Sequence, residues 1–534
     1  MAFTDLTFRS AIESRVAAEN AGDRRAMFVT EAGEAISPSA FEAKVAAATA
    51  WFAAEGVTAG DRVAIWLPNR LEWMTLLFAA AHVGATVAAV NTRYRTAELQ
   101  HILGSSGAKM LIFEKRNSYS DFTTFIEELD FTKLPELQQL VVIEADADLP
   151  GAIGGVPVGV FAPCPSLPAA PIAGAADSPA MLFTTSGTTN KPKLVLHLQR
   201  TLGLHANNCA REIGFEEDDA AFLGAMPFCG VFGISTTLAA IAGGAPVYLN
   251  DRFETKLATR TVKAYKITHM FGSDEMFRQI WQTDRTAFAH ARICGFASFT
   301  PGMETALREM ANSGLPLLGL YGASELHAIY SVQSRDLPLD ERLKGGGVPT
   351  GGKNAHIRVR NTETGELCAT GEVGVLEFRS PTNFVGYYRN EEATQKVIDS
   401  EGYFFSNDAG YLRPDGSFVY LARNGDFLRL SGFLTDPKEI EEVLEQNATV
   451  EKSQVVGIEF EGKTRPVAFV IPADPTKEPD EAAILGVAKA SLAHYKVPLR
   501  IITLAAFPVT ESANGIKIQK TKLRDMAVAA LSGK

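Results

Sequence analysis

Thr184-Thr185-Ser186-Gly187-Thr188-Thr189-Asn190-Lys191-Pro192-Lys193 follows a short apolar run, residues 179–183, that reads as a strand. The stretch packs five hydroxyl residues, one glycine and two lysines into ten positions. Glycine lets backbone N–H groups turn toward an anion, hydroxyls add donors, and lysine supplies positive charge. Chemically this is a phosphate cradle. It lacks the G-x-x-x-x-G-K-[ST] spacing of the P-loop, so an ordinary P-loop NTPase is not its natural reading. A Ser/Thr-rich surface turn is the plain alternative, but it does not account for the ordered T-S-G-T-T-x-x-P-K run.

Working outward, residues 1–60 open with a helix and a polar turn, then a helical pattern through 41–52. Residues 62–68 hold a continuous apolar strand, 71–83 carry helical periodicity, 86–90 read as a strand, a helix lies around 98–103, and 109–113 form another strand. Largely apolar strands alternating with helices indicate α/β architecture, a parallel sheet covered on both faces. A Pro/Gly/Ala-rich connection over 151–176 reads as an exposed linker. Beyond the hydroxyl-rich loop, strand and helix units continue to about residue 332. Residues 356–360, 375–378 and 417–421 are short alternating runs between Gly and Asn turns, which predicts a β-rich subdomain over about 345–423. A boundary follows at 423–426. Asp436, Pro437 and Glu439 then supply an N-cap acid, a proline at the first helical position and an acid at the third. Strand patterns at 455–459 and 465–471 and a helix from 481 complete a small α+β unit. The expected division is 1–423, binding ATP and an acid, and 424–534, a small mobile domain.

At 534 residues the chain is too long for one compact core and suggests about three to four domain-sized units. Hydrophobic content of 46% with 21% charged residues is that of a soluble globular protein. A net charge of −11 without a block of like charges argues against nucleic acid or an anionic membrane as partner, so an anionic substrate needs a local positive site. The cysteines (Cys164, Cys209, Cys229, Cys294, Cys368) are scattered without a C-x-x-C, which disfavours disulfides and zinc and fits a reducing compartment. The first 25 residues have no apolar core of a secretory signal. Residues 220–250 carry no charge, but Pro227, Pro246 and repeated Gly, Ser and Thr mark a buried core segment rather than a membrane span. A cytoplasmic protein is expected, and a homodimer is compatible with the sequence.

With the loop in this context, the chain resembles the adenylate-forming superfamily: acyl-CoA synthetases, nonribosomal peptide adenylation domains and beetle luciferases. The similarity runs essentially end to end, including residues 60–69 and 83–91, and implies that the hydroxyl loop (Thr184, Thr185, Ser186, Gly187, Thr188, Thr189, Lys193) holds the β- and γ-phosphates of ATP. Tyr321-Gly322-Ala323-Ser324-Glu325 is similar to the family's Y-G-x-[ST]-E. That resemblance places the aromatic by the adenine, the hydroxyl on phosphate and Glu325 at Mg²⁺, a hard cation suited to oxygen ligands. Residues 402–408 resemble G-[WY]-x-x-T-G-D, whose acid, here Asp408, accepts both ribose hydroxyls; a carboxylate suits a diol because it accepts two hydrogen bonds. Arg423 resembles the arginine that contacts ribose before the hinge, Phe296, Ala297 and Ser298 take the place of the G-G-A-P by the adenine, and Tyr420 is assigned to the nucleotide site. Gly515-Ile516-Lys517-Ile518-Gln519-Lys520, with Leu523 and Arg524, resembles the terminal G-K-I-x-K-x-x-L-R, whose first lysine, here Lys517, bridges carboxylate and α-phosphate. Lysine is a compact charge able to neutralise an oxyanion.

The resemblance also implies an acyl pocket of His205, Phe228, Gly230, Val231, Phe232, Gly272, Phe296, Gly322 and Leu326, a thiol tunnel at Ser431, Gly432 and Phe433, and a hinge at Gly425 and Asp426. Departures are local. Asn190 and Leu194 stand where the family usually has glycine, Gly230 where a histidine or aromatic gates the pocket, and Gly425 where the hinge has an acid or lysine. The expected function is an ATP-dependent carboxylate–CoA ligase with Mg²⁺, acting on a fatty, alicyclic or aryl acid, since no acid near 227–235 awaits an α-amino group. Two alternatives stay open: an adenylation enzyme loading a carrier-protein phosphopantetheine, and a non-catalytic nucleotide-binding homologue. Retention of Glu325, Asp408, Arg423 and Lys517 together argues against the second.

Overall fold

The computed structural model describes residues 2–116, 121–144, 150–185, 192–298, 303–362, 364–424, 428–430, 433–461, 463–512 and 515–531; of 429, 433–434, 510–512 and 515–517 it describes the backbone alone. Local signals set the first elements. Ser37 caps the helix Pro38–Ala54, with proline at its first turn. The helix Leu71–Val83 ends on Gly84 at φ 79°, a left-handed cap that glycine adopts without a Cβ clash. The apolar run at 62–66 becomes the strand Arg62–Trp66, buried from Val63 onward between parallel neighbours Thr86–Ala89 and Met110–Phe113.

Two large sheets organise the chain. The first runs in the order Gly386–Tyr387, Leu194–Leu198, Pro179–Thr184, Thr86–Ala89, Arg62–Trp66, Met110–Phe113, Gln139–Val142, Val156–Val160, Ala152–Ile153. The second carries Val247–Leu249, Phe222–Gly224, His269–Ser273, Ile293–Ala297 and Leu317–Ala323 as parallel neighbours. At Leu317–Ala323 the sheet changes character, because the next strand, His327–Val332, returns antiparallel through a tight turn. One apolar core, including Phe8, Phe78, Phe183, Phe222 and Phe271, joins the elements of both sheets. A second, around Trp66, Phe113 and Phe122, fills the space under the helix Thr96–Ser106.

Two expectations change. The stretch 151–176, read as an exposed linker, begins with a hairpin: Ala152–Ile153 pairs with Val156–Val160, which also pairs parallel with Gln139–Val142. Pro157 and Gly159 disguised this strand, yet both are tolerated at a sheet margin where few ladder bonds are required. The alternating runs after 345 do form strands, but they are not a sheet apart. Gly345–Pro349, Phe418–Arg423, Phe404–Leu412, Gly374–Arg379 and His356–Arg360 extend the second sheet from His327–Val332 by antiparallel pairing. The uncharged stretch 220–250 folds as two short strands around the buried helix Val231–Gly243, and among the described residues no helix is long and apolar enough to cross a membrane.

After residue 428 the chain builds its own cores. Asp436 caps the helix Pro437–Leu444 by accepting from the Lys438 N–H, as its sequence signature requires. Val450–Phe460 pairs antiparallel with Lys463–Pro472, and Ile501–Thr503 adds parallel to the latter. One face of this sheet packs against Ile440, Leu444, Ile484 and Ala488, the other against Leu523 and Ala527.

The folded chain buries several neutral histidines. Burial pushes His82, His197, His205 and His269 down to about 4 from an ordinary value of 6.5. The unfolded chain therefore binds more protons than the folded one between those values, so their contribution is intact above about pH 6.5 and is lost as the pH falls toward 4. Burial pushes the Glu441 carboxyl the other way, up to about 7, which offsets one of the four. Each of these histidines costs about 2 kcal/mol at pH 5, and buried His327 adds to them in the same direction, so the unfolding free energy is expected to fall between pH 7.5 and 5. Guanidinium unfolding at the two pH values checks this, and an unchanged midpoint would refute it.

Candidate active site

The hydroxyl-rich loop leaves one strand and enters another. Pro179–Thr184 and Leu194–Leu198 pair antiparallel with Thr184 opposite Leu194. Thr185 closes the neck: its N–H donates to the Lys193 carbonyl at 3.0 Å, and its hydroxyl accepts from the Lys193 N–H at 3.1 Å. Two side chains from the preceding unit grip the ends. The Tyr94 and Thr184 hydroxyls lie 3.1 Å apart, and His101 Nε2 donates to the Pro192 carbonyl at 2.8 Å. Leu194, where glycine was expected, is extended and 3% exposed, so this position needs no left-handed backbone. Ser186, Gly187, Thr188, Thr189 and Asn190 lie outside the described residues.

Lys193 and Glu325 meet through one tyrosine. The Lys193 ammonium sits 4.6 Å from the centre of the Tyr387 ring, and the Tyr387 hydroxyl donates to Glu325 Oε1 at 2.8 Å. Tyr387 lies on the short strand Gly386–Tyr387, opposite Val195. Ser324 and Glu325 stand in the turn between Leu317–Ala323 and His327–Val332, where the second sheet switches from parallel to antiparallel. Gly322 is required here, because a Cβ would come within 2.5 Å of the His327 carbonyl oxygen. Burial raises the Glu325 carboxyl pKa, against the opposing hydrogen bond from Tyr387. Among the described residues no group of three His, Cys, Asp or Glu side chains could hold a metal. A lone half-buried carboxylate suits Mg²⁺, which takes one or two carboxylates with substrate phosphates rather than a protein cage and, when bound, would favour the anion that burial alone disfavours.

The other pole is aromatic and acidic. The Tyr321 hydroxyl donates to Asp408 Oδ2 at 2.6 Å, and Arg423 approaches Asp408 Oδ1 at 3.1 Å. Asp408 and Arg423 are direct cross-strand partners, so sheet register alone brings them together. Arg423 also donates to the Ser406 carbonyl at 2.9 Å, and Asn407, at φ 57°, turns the backbone just before the acid. Burial and the neighbouring Asp408 raise the Tyr321 phenol. Burial works against the Arg423 charge, but Asp408, Tyr420, Tyr321 and Glu325 together outweigh it and the guanidinium is raised. Tyr321 stacks on Phe378 at 5.3 Å and lies 5.4 Å from Tyr420. Phe296 is 1% exposed and belongs to the core; Ala297 ends its strand and Ser298 is exposed beyond it.

The residues assigned to an acyl pocket fall on elements that pack together. The helix Gln199–Glu212 carries His205, the helix Val231–Gly243 opens with Val231 and Phe232, and both pack on His327–Val332, which follows Leu326. Asn69 fixes the approach to the second helix, accepting from the Phe228 N–H and donating to the Met226 carbonyl, each at 2.8 Å. Gly230 is the helix N-cap residue. Gly272 pairs with Phe296, and a Cβ there would press on Met276 Sδ at 3.0 Å. His205 is committed to the protein, since its Nε2 donates to the Ala328 carbonyl at 2.7 Å. We expect Gly230→Trp to lower turnover of bulky acids about tenfold more than that of acetate, by filling space at the helix start. Equal loss across acid sizes in a pyrophosphate-release assay would remove Gly230 from the pocket.

Lys517 lies on Gly515–Ile518, opposite Thr510 of Val509–Ser512, and Phe433 opens the strand Phe433–Thr435; the side chains of both are outside the description. Gly425, Asp426, Ser431 and Gly432 also lie outside the described residues. Tyr387, Tyr94 and His101 escaped sequence reasoning. Nothing local marks them, because each gains its place only through the pairing of distant strands.

A family model of AMP-binding enzymes matches residues 14–388, and one of the AMP-binding enzyme C-terminal domain matches 439–514, ending just before Lys517. The chain is 28% identical over 477 residues to the 2-succinylbenzoate–CoA ligase of Geobacillus kaustophilus, covering 86% of this chain and 88% of that one. It is 23% identical over 547 residues to the mitochondrial medium-chain acyl-CoA ligase ACSF2 of Homo sapiens, covering 95% and 86%. ATP-bound MatB from Rhodopseudomonas palustris has the same fold, with a TM-score of 0.80 at 21% identity over 98% of this chain and 99% of that chain. Because the first family model spans well over half of the sequence, the chain belongs to the AMP-binding enzymes, the adenylate-forming superfamily.

Proposed function

We propose that this protein is an acid–thiol ligase: it activates a carboxylic acid with ATP as acyl-AMP, releasing pyrophosphate, and transfers the acyl group to CoA, releasing AMP. The observation that carries this reading is the arrangement along one strand and its turn. Tyr321 joins the Asp408–Arg423 pair at one end, and Glu325 joins Tyr387 and Lys193 at the other. A nucleoside held at the first pole would direct its phosphates toward the second.

In the first step a carboxylate oxygen attacks the α-phosphorus and the bond to pyrophosphate breaks. Asp408 accepts from the ribose hydroxyls, Arg423 steadies Asp408, and Tyr321, Tyr420 and the backbone at 296–298 flank the adenine. The 184–193 loop and Lys193 hold the β- and γ-phosphates, and the Ser324 hydroxyl meets phosphate. Glu325 would hold Mg²⁺, which neutralises phosphate charge when bound. Lys517 neutralises charge between carboxylate and α-phosphate. In the second step the CoA thiolate sulfur attacks the acyl carbon and the mixed anhydride breaks to AMP. Domains at 1–423 and 424–534, hinged at Gly425 and Asp426, would present Lys517 for adenylation and the strand at Gly432 for thiol entry. Neither step requires a nucleophilic side chain, so positioning and electrostatics carry the catalysis.

The apolar character of Phe228, Val231, Phe232 and Leu326 supports a fatty, alicyclic or aryl acid. Relatives named as CoA ligases support CoA over a carrier-protein thiol. A pyrophosphate-release screen from acetate to aryl and steroid acids, each with CoA and with a holo-carrier protein, tests the reading. No acid-dependent release would reject it, and release followed by transfer to the carrier protein alone would replace CoA.

A further inference from the structure

Three buried histidines that take no part in this chemistry stand in a column beneath Ser324 and Glu325. His197 lies on Leu194–Leu198, the strand leaving the hydroxyl-rich loop; His205 lies on the following helix; His327 opens His327–Val332. The His327 ring is 4.0 Å from that of His197 and 4.6 Å from that of His205, nearly parallel to the latter at 19°. None is more than 2% exposed.

The outer two rings are directional. His197 Nε2 lies 2.8 Å from the Ser324 carbonyl oxygen. A carbonyl only accepts, so this nitrogen carries the proton and Nδ1 faces the Thr201 hydroxyl at 3.3 Å. His205 donates to the Ala328 carbonyl in the same way. The two rings therefore hold the chain on both sides of His327. The His327 ring lies between the other two, with the backbones of Thr201 and Thr382 as the polar groups that face it.

The clamped segment is strained. His327 sits at φ 69° and Ile329 at φ 56°. Histidine enters the left-handed region more readily than most side chains, whereas a β-branched isoleucine does so at real cost. Such backbone persists only where its surroundings over-determine it, and here His197 on the Ser324 carbonyl, His205 on the Ala328 carbonyl and the Thr350 hydroxyl on the Ile329 carbonyl supply the constraint. Without the His197 bond the turn carrying Ser324 and Glu325 would keep its indirect ties to the strand that ends the phosphate loop, through Phe384 and Tyr387, but would lose the direct bond from that strand to the Ser324 carbonyl.

We propose that His197, with His327 stacked on it, is a positioning residue that couples the Ser324 and Glu325 turn to the exit strand of the hydroxyl-rich loop. The inference rests on the nucleotide-site reading above and is independent of the acid and the thiol. Equilibrium binding of MgATP and of adenosine separates a positioning role from a structural one, because adenosine engages only the Tyr321, Asp408 and Arg423 pole. His197→Phe keeps a ring in the stack and removes the donor. It is expected to weaken MgATP about tenfold while adenosine changes less than about twofold. His197→Gln, which keeps an N–H donor, is expected to stay within about threefold of the unaltered protein for MgATP. Parallel weakening of both ligands, or unchanged MgATP affinity in the phenylalanine variant, overturns the proposal. If His197→Phe does not fold, His327→Asn, which tolerates the left-handed backbone but removes the middle ring, is expected to show the same split, and absence of the split overturns it equally. Neither probe needs an acid or CoA, so failure to find an acid substrate would reject the ligase reading and leave this test intact.

Discussion

Replacing Lys517 with alanine is expected to lower acid-dependent ATP–pyrophosphate exchange by about a thousandfold or more, the scale on which a mobile cation serves phosphoryl transition states. In the same variant, thioester formation from supplied acyl-AMP is expected to stay within about threefold, because that step breaks the acyl–phosphate bond without building charge on pentacoordinate phosphorus. The asymmetry is the point of the test. A lysine acting in adenylation alone separates the half-reactions, whereas one that merely stabilises the C-terminal fold would depress both. Exchange near the unaltered rate would dismiss the assignment, and equal loss in both half-reactions would make the lysine structural. The hairpin of Val509–Ser512 and Gly515–Ile518 sets the backbone position of Lys517 opposite Thr510.

The second large effect is expected at Asp408. Its carboxylate accepts from the Tyr321 hydroxyl and pairs with Arg423, with the residue 4% exposed. Asp408→Asn keeps the volume but removes the charge and one acceptor, which weakens the grip on a ribose diol and leaves Arg423 without its anion. Two charge-assisted bonds to the ribose correspond to a rise in the KM for ATP of roughly a hundredfold or more, with the KM for the acid little changed. The Arg423 side chain is 51% exposed, so solvent screens it and the loss of stability is expected to be small beside the loss of ATP affinity. An ATP KM within about threefold of the unaltered enzyme would remove Asp408 from the ribose site.

These residues differ in how visible they are along the chain. Tyr321, Glu325, Asp408 and Lys517 sit in short motifs whose residue types already suit a nucleotide, a cation and a phosphate. The helix at Pro437–Leu444 is legible down to its cap, because an acid, a proline and a second acid satisfy its first N–H groups locally. The strand at Val156–Val160 was not legible, since Pro157 and Gly159 look like loop residues until a neighbour pairs with them. The runs after 345 showed their alternation but not their allegiance, because alternation sets which face is buried and says nothing of which edge is joined.

By itself the sequence determined most of the order of strands and helices, the cap of Pro437–Leu444, and the residue types at 184–193, Glu325, Asp408 and Lys517 from which the nucleotide site is proposed. All of these depend on neighbours within a turn or a strand. Only the tertiary structure decided that Tyr387 bridges Lys193 and Glu325, that Tyr94 and His101 grip the ends of the loop, and that His197 reaches the Ser324 carbonyl across 127 residues of chain. Such contacts follow from which strands pair and in what register. A shift of one residue would turn every side chain of a strand to its other face. The neck of the loop at Thr185 and Lys193 is thus encoded locally, whereas the surroundings on which the proposed ATP site rests are supplied by the fold.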